Sequence, residues 1–350
     1  MATGLAAETA EQGRGELDRL WQRGRDFLGV DIAILGGAMT WVSDRNLVSA
    51  MSNAGGFGVV ACGGMEPQML RDEINAVREL TDKPFGVNLI TMHPQLDELV
   101  DVCVDLSVGH VVLAGGVPPR TAITRLVEGG AKVICFTPTL ALGKRLIKMG
   151  ANALVIEGME AGGHIGPVST MVLAQEILLN LPDVPIFVAG GIGRGETVLS
   201  YLEMGAAGVQ VGTRLVCATE CTAHPDFKKA FIRASARDAV TTVQVDPNFP
   251  VIPVRALANQ ASKDFSNVQR TVIARFEAGE LTQTEAQLEI EQFWAGALRR
   301  AVIDGDVEGG SVMAGQSVGM VSSEQPVAEI LQELIAQAVA GLAGKYQASG

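Results

Sequence analysis

Eight short apolar runs, most rich in β-branched residues, recur along the first two thirds of the chain. They are Ile32–Leu35, Phe57–Ala61, Phe85–Leu89, His110–Leu113, Lys132–Phe136, Ala153–Ile156, Pro185–Ala189 and Gly208–Val211. Each ends in glycine or a small polar residue, and the segments between carry apolar residues at helical spacing, as in Met69, Ile74, Val77 and Leu80. Short, continuously apolar strands alternating with helices describe a parallel sheet covered on both faces. Eight such units within about 200 residues predict a (β/α)8 TIM barrel. A doubly wound open sheet is the alternative; it carries a phosphate loop after its first strand. Here that strand leads into Gly36-Gly37-Ala38-Met39, and no GxGxxG follows.

A barrel of this type takes roughly 250 residues, so a chain of 350 has about 100 to spare. Residues 1–25 read as a helical extension. An amphipathic helix with Leu17, Leu20, Trp21 and Leu28 inward would plug the barrel floor. Residues 26–225 and 311–350 are assigned to the barrel. Residues 226–310 read as a helical insertion after the eighth strand, forming a small substrate or lid domain. Within it, Thr282 and Glu285 are spaced as a capping box, followed by an apolar face of Ile290, Phe293, Trp294, Ala297 and Ala301.

Charge narrows the function. Lys and Arg number 27 against 39 Asp and Glu, a net charge of −12, which argues against a nucleic-acid binder. The start of the chain lacks a signal-peptide core, and no apolar run approaches the roughly 18 residues of a membrane span. The expectation is a cytoplasmic protein with no membrane partner. Five cysteines without a CxxC pair read as buried thiols. No metal-ligand constellation and no G-x-S-x-G elbow appear.

Active sites of such barrels lie at the carboxyl ends of the strands. The seventh run ends in Ala189-Gly190-Gly191-Ile192-Gly193, the eighth in Gln210-Val211-Gly212-Thr213-Arg214. Glycines admit an anion close to the backbone, and free N–H groups at helix starts supply a positive pole. Gly190, Gly191, Gly212 and Thr213 are therefore candidate phosphate binders. The sixth run leads into Glu157-Gly158-Met159-Glu160-Ala161-Gly162-Gly163-His164, a Gly-rich loop presenting one imidazole able to pass protons near neutral pH. His164 is the candidate catalytic residue; His93, His110 and His224 are weaker. Asn88 has an amide suited to a heterocyclic edge. Glu157 reads as a hydroxyl acceptor or as a group orienting a neighbour, with a rim salt bridge a close alternative. Gly310–Gln316, with Met313 and Gln316, reads as a strap near a cofactor. Lys228, Lys229 and Arg233 form a small basic cluster, more simply a solvated helix face.

Together, GGAMTWVSD, KPFGVNL, EGMEAGGHIG, PIFVAGGI, GAAGVQVGTR and GGSVMAGQ resemble the nitronate monooxygenase family, formerly 2-nitropropane dioxygenase. They are also similar to the flavin-dependent enoyl-acyl-carrier-protein reductases. The resemblance runs from about residue 26 to 345. It implies FMN at the barrel mouth, with Gly37, Ala38 and Met39 against its ring. Asn88, Glu157 and Gln210 would contact it, Gly162 and Gly163 would lie beside it, and His164 would hold the family's catalytic position. The preferred expectation is oxidation of nitronates or nitroalkanes with O2 to a carbonyl compound and nitrite. The alternatives are an NAD(P)H-dependent enoyl-acyl-carrier-protein reductase, or another NAD(P)H-linked flavin reductase. Acyl carrier protein is a candidate partner only in the reductase reading, where Lys228, Lys229 and Arg233 would be its landing patch. A homodimer is a further candidate assembly.

Overall fold

The computed structural model describes residues 2–349, apart from Pro247 and Pro250. Every apolar run yields a strand: β1 (Ile34–Gly36), β2 (Gly58–Ala61), β3 (Phe85–Ile90), β4 (His110–Ala114), β5 (Lys132–Thr137) and β6 (Ala153–Glu157). A two-residue strand, β7 (Gly163–His164), stands apart; β8 (Ile186–Ala189) and β9 (Gly208–Val211) complete the set. The eight long strands pair in parallel in chain order, and β9 pairs with β1. The ring closes where Leu35 pairs with Phe57: the Gly36 N–H donates to the Phe57 carbonyl and the Phe57 N–H to the Ile34 carbonyl, both at 2.9 Å. This is the expected (β/α)8 barrel.

Both faces of the strands are apolar because both are covered. Leu35, Phe57, Val59, Val112, Ile134, Val155 and Phe187 share one cluster filling the barrel. Their neighbours Ile34, Val60, Val111, Val133, Leu154 and Val188 belong to another, packed with the helices. The alternation is that of a strand, one residue in and the next out.

The N-terminal residues form two helices, Ala2–Leu20 and Gln22–Leu28. Only the second reaches the floor. Leu28 joins the interior cluster, and the Phe27 carbonyl accepts from His110 Nε2 at 2.9 Å and from Lys132 Nζ. The first lies along the last helix, Val327–Ser349, where a Cβ on Gly13 would sit 3.0 Å from the Val339 carbonyl oxygen. Leu17 and Trp21 are buried, and Leu20 only partly so. Contrary to the sequence expectation, Val327–Lys345 is long and apolar enough to cross a membrane by length and composition. Its residues Ile330, Leu331, Leu334 and Ala338 are buried in the barrel's outer core.

The region 226–310 departs from the all-helical expectation. Helices Pro225–Arg233, Gln260–Glu277 and Gln283–Val302 form, but β10 (Ala239–Thr241) and β11 (Val254–Leu257) lie between them. They pair antiparallel, and β11 also pairs with β7. Strands of three and four residues carry no readable period. They exist because β11 finds a partner about ninety residues earlier in the chain. The Thr282–Glu285 capping box is present, with Thr282 N–H to Glu285 Oε2 at 2.7 Å. Phe265, Val272, Ile273, Ile290 and Trp294 form a core of their own.

Candidate active site

Parallel strands bring the segments that follow them to one end. There, a hydroxyl shapes the loop after β1: Ser43 Oγ donates to the Gly37 carbonyl at 2.9 Å and accepts from the Met39 N–H at 3.0 Å. Gly37-Ala38-Met39 is thus tied into a tight turn. Ser43 lies within the GGAMTWVSD motif, yet its role needs the folded loop to be seen. Met39 reaches across to the end of β9, its Sδ 3.5 Å from where a Cβ on Gly212 would stand.

The glycine turns after β8 and β9 are adjacent, since Ala189 pairs with Gln210. Gly190 and Gly191 have φ of +101° and +72°, a region that favours glycine. Among the described residues, the N–H groups of Gly191, Gly212 and Thr213 find no protein acceptor, and all three residues are partly exposed. Unpartnered N–H groups at neighbouring strand ends are able to receive an anion. Thr213 Oγ1 accepts from the Gly315 N–H at 3.0 Å.

Asn88 lies within β3, 4% exposed, and its Nδ2 donates to the Val112 carbonyl at 3.2 Å. Glu157 ends β6 beside Ala189. It is partly exposed, and no described side chain forms an ion pair or hydrogen bond with its carboxylate. Burial pushes its pKa up to about 8, so it is mainly uncharged at neutral pH. The rim salt bridge is therefore not formed. Gln210 lies against Gly37, its Nε2 3.4 Å from a Cβ placed there.

His164 is exposed, but its segment is not the loose loop its glycines suggest. His164 pairs with Val254 and Gly163 with Arg255. Gly162 is so close to the 311–316 strap that a Cβ would stand 2.6 Å from the Gly315 nitrogen. Met313 covers Gly163, with its Sδ 3.6 Å from a Cβ there, and the Gln316 N–H donates to the Glu160 carbonyl at 2.9 Å. His93, His110 and His224 are held in structural roles. His93 and His224 each accept, through Nδ1, an N–H two residues on at a helix start. His110 lies at the floor.

Lys228 corrects the basic-cluster reading. It is 5% exposed, and its Nζ donates to the Ala218 carbonyl at 2.8 Å and to Glu324 at 2.9 Å. It is not a solvated or docking cation. A cleft of about 380 Å³ lined by Arg78, Lys83, His110 and Lys132 lies at the opposite end of the barrel. Its Arg78 and Lys132 donate to the Leu106 and Phe27 carbonyls, so they face the negative C-terminal ends of two helices at the floor.

The family model for nitronate monooxygenase matches residues 22–105 and 95–337. The chain belongs to the nitronate monooxygenase family. A "probable nitronate monooxygenase" of Staphylococcus aureus is 25% identical over 366 residues, covering 91% of this chain and 98% of that one. A Mycobacterium tuberculosis protein named (3aS,4S,5R,7aS)-5-hydroxy-7a-methyl-1-oxo-octahydro-1H-indene-4-carboxyl-CoA dehydrogenase is 27% identical, covering 91% of this chain and 96% of that one. The structure of FabK from Thermotoga maritima superposes with a TM-score of 0.82 at 35% identity, covering 94% and 99% of the two chains. This member of the nitronate monooxygenase family is a flavin-dependent oxidoreductase.

Proposed function

We propose that the chain is an FMN-dependent nitronate monooxygenase that converts alkyl nitronates or nitroalkanes and O2 to a carbonyl compound and nitrite. What supports this most is His164: an exposed residue whose backbone is fixed by strand pairing at the mouth, on the same barrel end as the unpartnered N–H groups of Gly191, Gly212 and Thr213.

FMN, when bound, supplies the electron-accepting ring. Gly190, Gly191, Gly212 and Thr213 would hold its phosphate through backbone N–H groups. Gly37, Ala38 and Met39, in the turn tied by Ser43, would line the ring with Gln210. Asn88 has its Nδ2 engaged by Val112, so it would offer Oδ1. An uncharged Glu157 can both donate to and accept from a sugar-alcohol hydroxyl without bringing negative charge toward the phosphate. Gly162, Gly163, Met313 and Gln316 would close the site from the insertion side. An imidazole nitrogen of His164 would take the α-proton of a neutral nitroalkane, or donate a hydrogen bond to a nitronate oxygen.

A second reading, NAD(P)H-dependent reduction of an enoyl thioester, is favoured by one finding: the mycobacterial relative is named for a carboxyl-CoA substrate. Acyl carrier protein would enter only there, and not through Lys228. Anaerobic mixing separates the two. Flavin bleaching by propyl nitronate, with none by NADH or NADPH, is the expected result. Rapid bleaching by a pyridine nucleotide would instead carry the thioester reading.

A further inference from the structure

The segment Met159–His164 is held from outside at nearly every residue. The Met159 N–H donates to the Val168 carbonyl at 2.8 Å, and the Gln316 N–H to the Glu160 carbonyl at 2.9 Å. The Glu160 carboxylate accepts from Thr170 N–H at 2.8 Å and from its Oγ1 at 2.5 Å. Arg255 differs from these other holders. Its backbone lies opposite Gly163 in the β7–β11 pair, while its side chain turns back along the segment. Nε donates to the Met159 carbonyl at 2.9 Å, and Nη1 to the Ala239 carbonyl of β10 at 2.5 Å. One residue thus brackets the Glu160–Gly162 turn, by backbone at one end and side chain at the other.

Arg255 is 4% exposed, and both of these acceptors are neutral carbonyls. Burial lowers its pKa, and the field of Glu160 opposes that. A hydrocarbon side chain would fill the same space with less desolvation. What it could not do is hold two carbonyls from different elements in the fixed plane of a guanidinium.

We propose that Arg255 is a positioning residue, setting the His164 imidazole at the barrel mouth by locking the Met159 carbonyl to the β10–β11 pair. It touches no reacting atom and acts through His164. The effect on turnover rests on the catalytic role proposed for His164; the effect on the imidazole's place does not.

The test uses the flavin-loaded enzyme in four forms: R255K, R255M, H164A and R255K/H164A. Lysine keeps the charge and one donor but not the fork. R255K is expected to keep its flavin, to lose about tenfold or more in kcat with KM changed less than about threefold, and to shift the His164 imidazole resonance, assigned by its loss in H164A. R255K/H164A should be no slower than H164A, because two residues acting through one imidazole are not additive. Additive losses, or an R255K enzyme with wild-type turnover and an unmoved resonance, would overturn the proposal. R255M should be at least as slow as R255K; an R255M enzyme that folds and works normally would also overturn it. If R255M does not fold, R255K decides. Should H164A keep full turnover, the catalytic assignment falls, and the imidazole resonance in R255K alone decides the positioning.

Discussion

His110 and His164 lie at opposite ends of one barrel, the first 7% exposed and the second open at the mouth. Burial holds His110 down to about 4, outweighing the Phe27 carbonyl bond. Unfolded, it would titrate near 6.5. As pH falls from there toward about 4, the unfolded chain takes up the proton first, so His110 makes the fold less stable across that window and not above it. The size is up to about 3 kcal/mol. Urea unfolding of wild type and H110Q at about pH 7 and about pH 4 checks this: wild type should lose more between the two. At the other end, H164A should keep its flavin and lose at least about tenfold in turnover on propyl nitronate; steady-state rates with flavin absorbance read both. The local sequence of each histidine told part of this. Position on a strand start or a glycine-rich rim was legible, whereas the carbonyl from Phe27 and the pairing with Val254 were not.

At the scale of elements, two glycines make opposite predictions. A Cβ on Gly195 would stand 1.9 Å from the Leu334 carbonyl oxygen, because helix Gly195–Glu203 crosses Val327–Ser349 at backbone contact. G195A should therefore destabilise the fold by on the order of 3 kcal/mol, read from the denaturation midpoint. Gly212 has a negative φ of −122°, and a Cβ there would meet only the Met39 side chain, its Sδ at 3.5 Å and Cγ at 3.9 Å. G212D should thus fold normally while its carboxylate repels the phosphate, so flavin content falls about tenfold or more. A yellow G212D protein would remove the phosphate site from this turn. The eight strands and the Thr282 capping box were readable because their signals are local and repeated. β7, β10 and β11 were not, since two to four residues pair only after the barrel has placed them.

Across the whole molecule, the barrel is closed below by Gln22–Leu28, and the β10–β11 pair reaches its mouth side through β7. The first helix, Ala2–Leu20, packs instead on the last one. Deleting residues 2–20 should lower the melting temperature by about 5 °C, as loss of a peripheral apolar contact such as Leu17 would, with flavin binding intact. Calorimetry and flavin absorbance check the two halves.

The order and number of the barrel's eight strands, the end of the barrel that carries glycines, and the candidacy of His164 all lay in the sequence. Apolar period, glycine placement and chain order are local properties that each segment carries with it. The tertiary structure alone decided that Lys228 is buried, that burial raises the Glu157 pKa, that Gly162 is a glycine for the strap's sake, and that Arg255 reaches Met159. Burial and hydrogen-bond partnership are made by residues distant in the chain, and those meet only when the barrel closes.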